Sequence, residues 1–120
     1  MLATRDETNV LLMLAKILIE QGAYSKAEQC ADLEESNYHY KLIELLSYKD
    51  EIDVAKRWID KYSITEEDKL SSTAHIVLSL YRQKKINELE SIIAKVNNYW
   101  KVNYYTFLAK QSMGILKLNQ

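Results

Sequence analysis

The side chains best suited to nucleophilic or metal chemistry in this 120-residue chain are two histidines, His39 and His75, and a single cysteine, Cys30. Neither histidine has a second ligand at a metal-binding spacing, and Cys30 has no Cys-x-x-Cys partner. A lone thiol makes no internal disulfide, so nothing calls for an oxidising compartment. Cys30 falls about one helical turn after Ala27 and reads as a small buried apolar residue. Glu34-Glu35 and Glu66-Glu67-Asp68 are close enough in sequence to act as paired carboxylates. Both groups lie at expected helix ends, however, and read as solvated caps, the second favoured by the positive end of a helix dipole. The two glycines, Gly22 and Gly114, are too far apart to build a phosphate-cradling loop. The expectation is a protein without catalytic residues, metal or cofactor.

Tyrosine stands out, with nine against one phenylalanine. Tyr99, Trp100, Tyr104, Tyr105 and Phe107 cluster near the C-terminal end, and Tyr24, Tyr38, Tyr40, Tyr48, Tyr62 and Tyr81 are dispersed. Tyrosine couples a large apolar contact area to a polar tip, which suits contact surfaces as well as gaps between short helices. Tyr24 and Tyr62 are expected to fill such gaps.

The elements that must position these residues are helices. Proline is absent and glycine nearly so, which removes the two residues most hostile to helix interiors. Apolar residues recur at three- and four-residue steps, beginning with Val10, Leu11, Leu14, Ile17 and Leu18, with Asp6 or Thr8 as the helix cap. That helix ends at Gln21-Gly22, where glycine supplies the left-handed residue that closes many helices. Further helices are predicted over 24–35, 38–47, 52–61, from Thr65 to about 83, 86–97 and 99–118. Their inward stripes are Ala27, Cys30, Ala31 and Leu33; Leu42, Ile43 and Leu46; Val54, Ala55, Trp58 and Ile59; Leu70, Ile76, Val77 and Leu80; and Leu89, Ile92, Ile93 and Val96. Thr65, with Asp68 three residues on, forms a variant capping box.

These helices pair into hairpins. Gln21-Gly22-Ala23-Tyr24-Ser25-Lys26-Ala27-Glu28 matches the centre of a tetratricopeptide repeat, and the same place recurs at Asp50-Glu51-Ile52-Asp53-Val54-Ala55 and Lys84-Lys85-Ile86-Asn87-Glu88-Leu89. Equating Ala27, Ala55 and Leu89 gives spacings of 28 residues (27 to 55) and 34 residues (55 to 89). The predicted fold is all-α: about three tetratricopeptide-like hairpins and a C-terminal helix, in one domain spanning 1–120. Chain length suits one domain with a core of its own.

A net charge of −1 offers no basic face for nucleic acid or anionic lipid. The apolar run 10–19 is interrupted by Lys16 and is too short to span a bilayer, and the first residues do not read as a secretion signal. A soluble, cytoplasmic protein is expected.

In such repeats the first helix of each hairpin lines a concave surface. That register assigns Asn9, Leu12, Lys16 and Ile19 to the surface from the first hairpin. The second contributes Asn37, Tyr40, Glu44 and Tyr48, and the third Ala74, Leu78, Tyr81 and Arg82, with Tyr105 from the last helix. Leu12, Ile19, Tyr40, Tyr48, Leu78 and Tyr81 then form an apolar stripe the core does not need. It reads either as a groove for an amphipathic helix or as a bent, self-filled interior.

Val77-Leu78-Ser79-Leu80-Tyr81-Arg82 followed by Asn87-Glu88-Leu89-Glu90-Ser91 resembles the "LxxYR" helix and "LES"-like start of the type III secretion needle-subunit chaperones of the YscG/PscG type. Ala27-Glu28 and Leu42-Ile43-Glu44-Leu45-Leu46-Ser47 also look like the corresponding helices, and the resemblance runs from about Leu11 to Leu108. It implies a bacterial cytoplasmic chaperone that cups the amphipathic C-terminal helix of a needle subunit in its groove. It also implies a small co-chaperone on the N-terminal hairpin, in a heterodimer or heterotrimer. The abundance of tyrosine and lysine departs from the family pattern at the contact residues. The alternative is a peptide-binding tetratricopeptide-like regulatory or scaffold module.

Overall fold

A computed structural model describes residues 2–35 and 38–119, with side chains placed over 10–35 and 38–113. Among the described residues there are seven helices and no strand: α1 (Leu2–Glu20), α2 (Tyr24–Leu33), α3 (His39–Tyr48), α4 (Ile52–Tyr62), α5 (Glu66–Arg82), α6 (Ile86–Ala94) and α7 (Asn98–Asn119). None of them is long and apolar enough to cross a membrane.

Three of the connections have the same backbone geometry. At the end of α1 the Gly22 N–H donates to the Ile19 carbonyl (3.0 Å) and the Ala23 N–H to the Leu18 carbonyl (2.8 Å). Asp50 and Glu51 repeat the pattern on Ser47 (3.0 Å) and Leu46 (2.9 Å), and Lys84 and Lys85 on Tyr81 (3.0 Å) and Leu80 (2.9 Å). This is the paired closure of a Schellman motif, which satisfies carbonyls that the helix end leaves open. It needs one residue at positive φ, and Gly22, Asp50 and Lys84 supply it at 78°, 63° and 60°. Five residues further on in each case lie Ala27, Ala55 and Leu89, all buried.

Glycine adopts this conformation freely, aspartate tolerates it, and lysine is strained by its Cβ. Lys84→Gly should therefore stabilise the protein by about 1 kcal/mol. Gly22→Ala should destabilise it by a similar amount although the added methyl meets open space. Urea denaturation of the two variants checks both signs.

Packing follows from these turns. α1 lies on α2, α3 on α4 and α5 on α6, while α1 also meets α3, α3 meets α5, and α5 meets α7. The core between them comprises Ala27 and Ala31, Leu42, Ile43 and Leu46, Ala55, Trp58 and Ile59, Ile76, Val77 and Leu80, and Leu89 and Ile93. At the start of α5 the Thr65 hydroxyl accepts the Asp68 N–H (3.0 Å) while the Asp68 carboxylate accepts the Thr65 N–H (3.2 Å). α7 is fastened by Tyr104, a fully buried residue whose hydroxyl donates to the Leu70 carbonyl at 2.6 Å. Burial of that phenol pushes its pKa up to about 12.

Several expectations need correction. α1 begins at Leu2, so neither Asp6 nor Thr8 caps it. Its buried face is Leu12, Ala15 and Ile19, while Val10, Met13, Leu14 and Ile17 are exposed. The run 10–19 is apolar almost all round, and the helix turns toward α2 and α3 the side on which Ala15 permits close approach. Leu33, expected inward, is exposed in the last turn of α2. Glu34, expected on a solvated cap, is buried where the chain leaves α2 in an extended conformation. α6 stops at Ala94, short of the expected 97, because Asn97 is used instead to accept the Trp100 N–H (3.1 Å) at the start of α7.

Candidate functional site

The odd-numbered helices enclose a groove of about 780 Å³. α1 contributes Lys16 and Glu20; α3 contributes Tyr40, Lys41, Glu44, Leu45 and Tyr48. α5 adds His75, Leu78 and Arg82, and α7 adds Phe107 and Gln111. Leu45, Leu78 and Phe107 make an apolar base, framed by two phenols and by charges of both signs.

Of the side chains expected on the concave surface, Lys16, Tyr40, Glu44, Tyr48, Leu78 and Arg82 line this groove. Leu12 and Ile19 do not, because they are on the buried face of α1. Tyr81 and Tyr105 are exposed outside the lining. Tyr81 is one residue from Arg82 and so about 100° around α5, and Tyr105 is about 200° around α7 from Phe107. Ala74 is partly buried against the core. The side chains of Asn9 and Asn37 lie outside the described residues. The contribution of His75 was missed, although its spacing from Leu78 and Arg82, three and seven residues, is the spacing of one helix face. Lys41 and Leu45 were missed as well, although they lie seven and three residues before the expected Tyr48 on the same face of α3.

The wall at Tyr48 is held from behind. Arg82 Nη2 donates to Asp50 Oδ1 (3.0 Å) and to the carbonyls of Tyr48 (3.1 Å) and Ser47 (3.3 Å), closing the C-terminal end of α3. Its guanidinium carbon lies 5.2 Å from the centre of the Tyr48 ring, a cation–π contact. Ser79 Oγ donates to the same Asp50 oxygen at 2.6 Å. Partial burial pushes the Asp50 carboxyl up, but the hydrogen bonds from Ser79 and Arg82 win and hold it below the usual carboxylate range. Lys49 Nζ reaches Glu20 at 3.4 Å and ties the ends of α3 and α1 together at the rim. Arg82 is therefore a brace as much as a groove residue.

On the other side, between α2 and α4, Glu28 receives Arg57 (2.6 Å) and Lys61 (2.7 Å), and Lys61 also reaches Asp32 (2.9 Å). The hydrogen bonds from Lys61 and Arg57 hold the Glu28 carboxyl below its ordinary range. Tyr62 donates to Asp32 at 2.6 Å and stacks at 4.4 Å on His39, whose Nε2 donates to the Ala31 carbonyl at 2.8 Å. This network fastens three helices; none of its members lines the large groove, but His39 and Tyr62 line a smaller cavity beside it. It gives His39 a structural role. Among the described residues no group of three or more His, Cys, Asp or Glu side chains is placed to hold a metal ion.

His75 lines the groove from α5. Its ring meets Phe107 edge-on at 5.7 Å, and it also lines a second cavity of about 400 Å³ toward the start of α5, as does Tyr40. Burial holds the imidazole below its ordinary 6.5, outweighing the attraction of Glu44 for the charged form. The folded state thus takes up this proton less readily than the unfolded state. The contribution to stability is complete above pH 6.5 and is lost as pH falls through the lowered value. His75→Gln should flatten the fall in stability between about pH 7 and pH 5, measured by urea unfolding at each pH.

No protein-family model, no curated protein and no solved structure matches this chain.

Proposed function

We propose that the chain is a tetratricopeptide-like repeat domain serving as a cytoplasmic chaperone of a bacterial type III secretion system. It binds the needle subunit through that subunit's amphipathic C-terminal helix, keeps it monomeric, and acts together with a small co-chaperone. The observation that carries the reading is the groove: an apolar base of Leu45, Leu78 and Phe107 between Tyr40 and Tyr48, of a volume suited to a ligand cleft. An amphipathic helix that would otherwise self-associate is hidden by such a surface, one apolar side chain per turn. The three matching turns at Gly22, Asp50 and Lys84 support the hairpin repeat, and the sequence resemblance supports the family.

The co-chaperone reading is supported by α1. Val10, Met13, Leu14 and Ile17, spaced at three, four and seven residues, leave 60%, 62%, 42% and 51% of their surface exposed. A contiguous stripe of this kind on a terminal helix marks a contact surface. We read the role as binding without catalysis.

The test is reconstitution with the needle subunit of the same secretion system. Light scattering should show the subunit held as a single copy in a complex with the chain and the co-chaperone, and polymerising once they are withdrawn. Unchanged polymerisation at equimolar chaperone would refute the reading.

A further inference from the structure

The second cavity adjoins the groove, sharing Tyr40 and His75 with it, yet its chemistry differs. Beyond those two residues it is lined by Asp68, Ser71 and Ser72 in the first turns of α5, by Ser63 after the end of α4, and by the stacked rings of His39 and Tyr62. Lys16, Lys41 and Arg82 outnumber Glu20 and Glu44 in the large groove, whereas among the described residues Asp68 is the one carboxylate of the smaller cavity and no lysine or arginine lines it. Glu66 and Glu67 precede Asp68 in the same helical turn and add to the negative field. The positive end of the α5 dipole opposes that field, but the negative end of α4, which stops at Tyr62, meets the cavity and offsets it. Asp68 spends one oxygen on the Thr65 N–H, and its second oxygen retains acceptor capacity. The hydroxyls of Ser63, Ser71 and Ser72 add further acceptors.

We infer that this smaller cavity is a subsite for an arginine side chain of the polypeptide held in the groove. A guanidinium presents several donors in one plane, matching a carboxylate beside hydroxyls, and its flat face suits the aromatic wall at Tyr40. A strongly hydrated ammonium uses such a spread of acceptors less well. Asp68 is ten residues before Leu78 on α5, about 15 Å along the helix axis. The arginine of a bound helix running beside α5 thus lies about two turns from the residue packed on Leu78, after allowing for the reach of its side chain. The inference rests on the reading of the groove as a helix-binding site for this spacing alone. The chemistry of the subsite is testable without any partner.

The experiment titrates N-acetyl-arginine amide into the full-length, nitrogen-15-labelled chain and follows amide shifts by NMR. N-acetyl-lysine amide and N-acetyl-norleucine amide serve as the ammonium and apolar comparators. Saturable shifts centred on Ser63, Ser71 and Ser72, strongest for the arginine compound, are expected at millimolar concentration. Asp68→Asn keeps an oxygen for the Thr65 N–H, so α5 should start unchanged, while affinity should fall at least about tenfold. The absence of saturable shifts up to about 50 mM overturns the proposal, that concentration lying well above the millimolar affinity a single charged contact gives. Equal binding of the lysine or norleucine compound also overturns it, as does an affinity indifferent to Asp68→Asn. Failure of the needle subunit to bind, with these shifts intact, would instead count against the chaperone reading and leave the subsite standing.

Discussion

Trp58→Ala is expected to lower the unfolding free energy by about 3–5 kcal/mol, a large share of the 5–15 kcal/mol typical of a domain. Trp58 is fully buried on α4 beside Ala55 and Ile59, and meets the Tyr62 ring edge-on at 5.5 Å. Removing so large a buried side chain adds a cavity cost to the lost burial. α4 packs on both α3 and α5, the two helices that form the middle of the groove, so binding should weaken along with stability. Trp58→Phe separates the contributions. The indole Nε1 is buried without a hydrogen-bond partner among the described residues, which costs about 1–3 kcal/mol in the native protein. Phenylalanine loses part of the contact area but removes that orphaned donor, so its net effect should be about 1 kcal/mol or less. Urea unfolding with a constant m-value measures both. A loss below about 2 kcal/mol for the alanine variant would mean that α4 collapses into the space.

The second large effect is on binding. Under the proposed chaperone function, Tyr40→Glu combined with Leu78→Glu should weaken association with the amphipathic helix by at least about 100-fold, while leaving helical content and unfolding midpoint close to wild type. Both residues line the groove. Tyr40 is half exposed, and neither belongs to the fully buried core. The substitutions remove two apolar contacts and add two carboxylates to a surface that already carries Glu44. A docking helix would have to desolvate charges it has no means to pair. Tyr81→Glu is the control. It introduces the same charge on the same helix, but outside the groove lining, and affinity should be unchanged. Calorimetry with the C-terminal helix peptide of the needle subunit, beside circular dichroism of each variant, distinguishes the outcomes. Unfolding of the double variant would place Tyr40 and Leu78 in the core. Equal losses for the control would place the binding surface elsewhere.

How far the sequence carries depends on how one-sided each helix is. α3 and α4 each have one apolar face, and Leu42, Ile43 and Leu46, or Ala55, Trp58 and Ile59, are buried where periodicity places them. The start of α5 was equally legible, because the Thr65–Asp68 capping box is a local exchange of hydrogen bonds requiring only residues three apart. Gly22 announced its turn by being glycine. At Lys84 the repeat register places the turn but not its positive φ, since lysine in that conformation is held there by the helices on either side and not by its own preference.

Half of the groove could be read in the same way. Tyr40, Glu44, Tyr48, Leu78 and Arg82 belong to helices whose buried faces are unambiguous, which leaves the opposite face determined. Leu12 and Ile19 were exchanged with the true surface residues because α1 is apolar around most of its circumference. On such a helix the hydrophobic effect, which is non-directional, does not select a face. Only contact with α2 and α3, admitted by the small Ala15, makes that choice. α7 poses the same problem with aromatics. Tyr104 and Leu108 are buried, with the Tyr104 hydroxyl on a carbonyl of α5, and with that face inward Phe107 lines the groove while Tyr105 is left exposed. The sequence by itself determined an all-helical chain, the position of its turns and the faces of its most amphipathic helices. Tertiary contact decided the orientation of α1 and α7, and with it which aromatic and aliphatic side chains line the groove.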